Sequence, residues 1–381
     1  MNMKSFVGSL MVACASFVYA QAPNIPVDLS LGESIVFIKN ENKWGIDLET
    51  TIFKPEGTGP FPVVVLNHGK APGGSNKFQE RNRPLPAVRE LLQRGYAVVA
   101  PMRQGFANSG GVTVGDSCNI EANGNAQALD VQAVVDWLKK QSWADTTRMV
   151  MMGQSHGGLT TLAYAQTPDS GFKVFVNFAG GLKFTRDCDW QRSLKNAYES
   201  YGAKTKAESI WFYGANDSYF PPDVIHPAHA AYVASGGKGE LVAFGIFGSD
   251  AHAMFGSYAG LPIWWKRVEA RMAAAGLPTQ VIHPKYAYSR TARPAASGFA
   301  EVTNADKLPY ANDTMRATYQ RFLTSALPRA FALDREGLTG FAFGGDDPLK
   351  RALDFCNRKG KGECKLYAVD NDVVWLEEIK Y

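Results

Sequence analysis

Short apolar runs alternate along the chain with longer stretches of helical period. Residues 34–39 (SIVFIK) and 46–53 (IDLETTIF) alternate apolar and polar positions, the pattern of half-buried antiparallel strands. The runs at 61–67 (FPVVVLN), 96–100 (YAVVA), 148–152 (RMVMM), 173–178 (KVFVNF), 210–213 (IWFY) and 241–247 (LVAFGIF) are apolar almost throughout, as strands covered on both faces require. Helical spacing predicts helices near 86–94, 125–141 and 155–166, and one more carrying Ile263, Trp264, Val268 and Met272. Strand and helix taking turns in this way imply right-handed crossovers. The predicted class is α/β, with a mainly parallel sheet, helices on both faces and an antiparallel lead-in.

The pattern breaks after residue 276. Residues 277–310 are rich in Pro, Ala and Ser and read as a linker. Beyond it, 329–333, 340–343, a helix over 347–357 and 364–369 make a small C-terminal α+β module within 311–381. At the other end, Lys4 precedes an uncharged apolar stretch from Phe6 to Tyr19, and Val18-Tyr19-Ala20 offers small residues before a cut. This is the layout of a secretory signal peptide over 1–20, so the expected catalytic unit is 21–276 and the expected location periplasmic or secreted, in a bacterium. No later run is long enough to predict stable membrane insertion.

Composition narrows the partners. Forty Lys and Arg stand against 36 Asp and Glu, scattered evenly, which gives no basis for nucleic acid binding. With Cys14 inside the signal stretch, Cys118, Cys188, Cys356 and Cys364 remain, an even set that in an exported chain reads as two disulfides. Of three connectivities, local closure of Cys356 with Cys364 is natural and leaves Cys118 for Cys188. No ligand spacing for a metal is visible, and no cofactor is called for.

The chemistry gathers where predicted strands end. Gly153-Gln154-Ser155-His156-Gly157-Gly158 lies between a buried strand and a helix, where a serine on a sharp turn stands clear of the sheet and only small residues fit two places before and two after it. A nucleophilic serine needs a base and an orienting acid, in the order Ser, Asp or Glu, His on this kind of sheet. Asp217 follows IWFY and His252 follows LVAFGIF, so Ser155, Asp217 and His252 are the candidate triad. Asp223 and Asp250 compete as the acid, although Asp250 is close in sequence to His252. Backbone N–H groups of Lys70, after FPVVVLN, and His156 are the candidate oxyanion donors.

These residues resemble the α/β-hydrolase superfamily, and within it the dienelactone-hydrolase-like branch. The resemblance rests on His68-Gly69, GYAVVAPMRQGFANSGG at 95–111, GQSHGG at 153–158, YGANDSYFPP at 213–222 and Asp250-Ala251-His252. Dienelactone hydrolase proper uses a cysteine where this chain has Ser155, so the resemblance implies an esterase-like serine hydrolase acting on a small-molecule ester. A peptidase of the prolyl-oligopeptidase type, or a catalytically inert envelope-binding protein, are the alternatives. A lid is expected within 183–207. Trp190, Trp211, Trp264 and Trp265 are candidates for an aromatic pocket or for the core.

Overall fold

The computed structural model describes residues 25–376 except 42, 44, 72, 74, 75, 116, 117, 170, 185–187 and 359–362. The signal peptide expected at 1–20 lies outside the described residues. Eight strands, β1 (Glu33–Lys39), β2 (Asp47–Phe53), β3 (Phe61–Asn67), β4 (Ala97–Pro101), β5 (Ala144–Gln154), β6 (Phe172–Phe178), β7 (Glu208–Tyr213) and β8 (Lys238–Ala243), form one sheet in the order β1-β2-β4-β3-β5-β6-β7-β8. β1 pairs with β2 and β2 with β4 antiparallel; every pairing from β4 to β8 is parallel.

Alternation along β3 divides the core into two layers. Val64 and Leu66 face α1 (Leu85–Gln93) and α6 (Leu261–Ala274), packing with Leu91, Trp264 and Val268. Val63 and Val65 face α2 (Ile120–Leu138), with Val131, Val134 and Leu138. On that same side α3 (His156–Tyr164), α4 (Trp190–Lys204) and α5 (Pro222–Ala234) pack through Leu159, Leu194, Tyr198, Ile225 and Tyr232.

Three elements differ from expectation. The helix predicted from about 125 starts at Ile120, because the Asn119 side chain accepts from Ala122 N–H and caps the earlier turn. The strand predicted to reach Phe247 stops at Ala243; Gly245 turns the chain out at φ 83° and leaves Ile246 exposed. The stretch expected to form a lid holds α4, whose Leu194, Ala197, Tyr198 and Tyr201 are buried against α2 and α5.

A second sheet, in the order β10-β9-β11-β12 and antiparallel throughout, is built from β9 (Arg329–Leu333), β10 (Thr339–Phe343), β11 (Lys365–Val369) and β12 (Asp372–Val373). α7 (Asp313–Thr324), which was not anticipated, covers one face with Tyr319 and Phe322 against Phe331. α8 (Pro348–Asn357) covers the other with Leu349 and Ala352 against Ala330 and Ala332. Residues 277–310 are tied down on the way: Ile282 N and His283 N donate to Gln93 O, and Ser297 N to Val373 O. Both cysteine pairs are bonded, Cys118 with Cys188 and Cys356 with Cys364.

The lead-in strand is held by a buried carboxylate. Glu33 accepts from Arg81 Nη1 (2.8 Å), from Arg83 Nε and Nη2 (both 2.7 Å) and from Asp28 N (2.7 Å). Burial pushes its carboxyl up, but the Arg83, Asp28 and Arg81 hydrogen bonds outweigh this and hold it below the usual range. Glu33→Gln leaves two guanidinium groups short of their anion and is expected to cost about 3–5 kcal/mol in denaturant unfolding. Since the folded pKa is depressed, this stabilisation is present above the unfolded-chain carboxyl pKa. It should fade as pH falls through the folded value, and Glu33→Gln should flatten that acid limb.

Candidate active site

Ser155 occupies the single residue between β5 and α3, at φ 57° and ψ −124°, a strained conformation for a residue with a side chain. Its neighbours explain how the turn closes. A Cβ on Gly153 would strike Gly157 O, and one on Gly157 would strike Asn67 O at the end of β3. Ser155 N donates to Phe178 O (2.9 Å), and Ser155 O accepts from Gly158 N (2.8 Å) and Gly181 N (3.1 Å), so the turn is bonded to the end of β6.

Asp217 and His252 stand on the loops after β7 and β8, at the same carboxyl edge of the sheet. His252 Nδ1 lies 3.0 Å from Asp217 Oδ2 and 3.1 Å from Oδ1. Asp217 is buried, and its Oδ1 also accepts from the N–H groups of Tyr219 and Phe220 (2.9 Å each), so the carboxylate is oriented from two sides. Asp250 does something else. It accepts from Ser218 Oγ (2.6 Å), Ser218 N (3.1 Å) and His252 N (2.9 Å), bracing one loop against the other. Asp223 sits in the first turn of α5. The His252 ring packs beside Tyr219 (centroids 4.5 Å) and Phe220 (5.8 Å), and Gln154 Nε2 donates to His252 O (3.1 Å), linking the serine's neighbour to the histidine loop.

The loop after β3 closes the other side. A Cβ built on Gly69 would come within 2.6 Å of Gln154 Oε1 and 3.2 Å of Ser155 Cβ, so this backbone passes directly over the serine. His68 is buried, and its Nε2 lies 3.0 Å from Arg103 N, an N–H that can only donate. The neutral ring therefore carries its proton on Nδ1, 2.6 Å from Gly69 O. Gln79 adds a second bond to Gly69 O through Nε2 (3.0 Å) and accepts from Ala71 N through Oε1 (2.9 Å), bracketing Lys70. Arg103 is fully buried, with Nη2 on His68 O (2.7 Å) and Nε on Gln127 Oε1 (2.6 Å).

Burial, then the Arg103 cation, holds His68 well below its usual pKa, so the ring stays neutral. The same two causes, with Lys70 third, hold His156 down; its Nε2 bonds Asn123 Oδ1 (2.8 Å). Arg103 itself is pushed down to about 9 by burial, with Asp130 opposing. The Lys70 side chain is exposed. Among the described residues no group of three or more His, Cys, Asp or Glu is placed to hold a metal ion. Trp190, Trp211, Trp264 and Trp265 are all core residues, Trp190 packing near Phe220 (6.2 Å). Sequence reading gave no role to Gln79, Arg103, Gln154 or Tyr219; of these Arg103, Gln154 and Tyr219 stand inside motifs that the sequence displays, and Gln79 does not.

The family model described as X-Pro dipeptidyl-peptidase (S15 family) matches residues 45–209, from the start of β2 into β7 and across the Ser155 turn. The match spans less than half of the chain. The match ends before Asp217 and His252. Among solved structures, a putative dienelactone hydrolase from Klebsiella pneumoniae is 20% identical, with TM-score 0.46, covering 63% of this chain and 98% of that one. An esterase from Pyrococcus furiosus is 18% identical, with TM-score 0.49, covering 68% and 99%. A puromycin-hydrolyzing peptidase from Mycobacterium tuberculosis is 18% identical, with TM-score 0.45, covering 68% of this chain and 42% of that one.

Because the Gly157 Cβ position falls on main-chain oxygen and not on a movable side chain, Gly157→Ala is expected to destabilise the protein by roughly 2–3 kcal/mol. A lowered thermal midpoint checks this, and an unchanged one would contradict the close approach.

Proposed function

We propose that the protein is an exported serine hydrolase that cleaves carboxylic esters through an acyl-enzyme. The observation that carries this reading is the His252 ring held by the buried Asp217 carboxylate, on a loop bonded to Gln154, the residue beside the strained Ser155. Ser155 Oγ attacks the ester carbonyl carbon while His252 Nε2 takes its proton; Asp217 holds Nδ1–H and favours the imidazolium. The tetrahedral intermediate collapses as the imidazolium protonates the leaving alkoxide. Water then attacks the acyl-enzyme with the same base, releasing the acid and restoring Ser155.

The oxyanion is bound by the N–H groups of Lys70 and His156. For Lys70 the aim follows from the peptide group itself. In a planar trans peptide the C=O and the next N–H point in opposite directions. Gly69 C=O is gripped by His68 Nδ1–H and Gln79 Nε2, so the Lys70 N–H on the far end of the same peptide is directed away from them. His156 N–H lies in the first turn of α3, where helix N–H groups lack helical acceptors.

Two disulfides favour export into an oxidising compartment, in line with the signal peptide read at 1–20. We take 21–276 as the catalytic domain, 277–310 as its connection and 311–381 as the appended module. The S15 family match favours one second reading, a peptidase acting on X-Pro substrates.

Purified protein should hydrolyse p-nitrophenyl esters and be labelled by a fluorophosphonate. Ser155→Ala should abolish labelling and lower kcat by about 10⁴-fold or more, and Asp217→Asn by about 10⁴-fold. Cleavage of X-Pro p-nitroanilides at a higher kcat/KM than esters would move the function to the peptidase, and no reaction with ester, anilide or probe would leave a binding role. Gln79→Ala frees the Gly69–Lys70 peptide on one side. It should lower kcat by roughly 10–100-fold with KM little changed, whereas a KM effect alone would remove Gln79 from oxyanion positioning.

A further inference from the structure

The C-terminal module reaches across to the catalytic sheet at the loop bearing His252. After His252 this loop runs through Met254 and Phe255, both buried, to Ser257 and Tyr258 before α6 begins. Phe255 stacks on Phe178 (centroids 4.1 Å, 23°), whose carbonyl receives Ser155 N, so the middle of the loop rests on the strand that supports the nucleophile. Its far end has no strand beneath it. There Tyr258 N donates to Asp346 Oδ2 (2.7 Å), and Ser257 Oγ lies 3.4 Å from Asp346 Oδ1.

Asp346 belongs to Gly344-Gly345-Asp346-Asp347-Pro348, the tight connection from β10 to α8. The connection is shaped for this contact. Gly344, Gly345 and Asp347 have φ of 56°, 61° and 38°, so three of these four residues are left-handed and the connection turns tightly. Asp347 caps α8 through Lys350 N (3.0 Å) with one oxygen. With the other it accepts from Thr291 N (2.8 Å) and Thr291 Oγ1 (3.0 Å). The connecting segment 277–310 is thus drawn in as well, and its Tyr288 stacks on Tyr258 (centroids 3.5 Å, 12°). Tyr258 is therefore held by its backbone from Asp346 and by its ring from Tyr288.

We infer that the C-terminal module is part of the catalytic unit, with Asp346 a positioning residue that fixes the His252 loop through the Tyr258 N–H. This rests on the proposed role of His252. The loop is braced at its start by Asp250 on Ser218, in its middle by Phe255 on Phe178, and at its end by a carboxylate from another sheet. Loss of the last brace leaves the ring's partner Asp217 in place but loosens the backbone that sets the ring's distance to Ser155, an error to which proton transfer is steeply sensitive.

The test uses the full chain with Asp346→Ala and Asp346→Asn, the second retaining an oxygen for Tyr258 N–H. Asp346→Ala should lower kcat for p-nitrophenyl butyrate by roughly 10–100-fold with KM within about twofold, and Asp346→Asn should recover most of it. Hydrogen exchange supplies a readout independent of activity: amides of 251–260 should exchange faster in Asp346→Ala, while those of 329–343 keep their protection and so report a folded module. Wild-type turnover with Asp346→Ala unaltered in kcat and in exchange over 251–260 overturns this inference alone. Equal loss in Asp346→Ala and Asp346→Asn, with protection lost across 329–343, also overturns it, since the residue then serves only the module's fold. Wild-type protein that neither turns over the ester nor takes up a fluorophosphonate overturns the reading of the site, and the positioning role of Asp346 with it.

Discussion

The close approach of α3 to the ends of β3 and β6 is the constraint on which the remaining structure turns. Ser155 stands at φ 57° because the chain must reverse from a central strand into a helix within one residue, and the room for that reversal is made by Gly153, Gly157 and Gly158. A Cβ on Gly158 would run into Asn177 Oδ1 on β6, as one on Gly157 would into Asn67 O on β3. The helix can therefore sit over both neighbouring strands. Its first N–H groups then face the edge where the loops after β3, β7 and β8 arrive. Strain at one residue is held in place by the regular structure packed around it.

The second organising feature is a cation without a carboxylate of its own. Arg103 is fully buried, yet its bonds go to a carbonyl, His68 O, and to an amide oxygen, Gln127 Oε1, and Nη1 has no partner among the described residues. Asp130, which opposes the lowering of its pKa, is shared among Lys43, Asn40 and Gln104 N. Burying such a cation is costly unless the charge is of use. Its effect is visible on the two nearby histidines, which it helps to keep neutral. A positive charge fixed one peptide behind Gly69 would likewise favour negative charge building beside Ser155, where the reacting carbonyl oxygen would stand.

Much of this was legible in the sequence because period and chain order are local properties. The apolar runs of β3 to β7 and the alternating β1 and β2 appear close to their written positions, and the three triad candidates fall at the ends of β5, β7 and β8. β8 misled because Phe244 and Phe247 extend its apolar run, while Gly245 at positive φ ends the strand between them. α7 carried its own signal in Met315, Tyr319 and Phe322 at helical spacing, but it lies beside a stretch rich in turn formers. Gln79 and Asp346 left no local mark, and Arg103 stood in a motif that did not reveal its partner. Each acts across 10 or more positions on a backbone group, Gln79 within the loop after β3 and Arg103 and Asp346 on another loop, and no periodicity within a window records that.

That third group shows how division of labour runs in this fold. The residues proposed to meet substrate stand on loops at one sheet edge, and such loops have no ladder of their own to fix them. Each is held by polar side chains: Gln79 from within the loop after β3 and Arg103 from the loop after β4, Asp250 and Gln154 between the loops after β5, β7 and β8, and Asp346 at the far end of the histidine loop. Of these, Asp346 alone comes from a separate sheet. The long loop between β8 and α6 is anchored at its end by the second sheet's module. The module supplies this anchor through a tight turn, and not through its hydrophobic core.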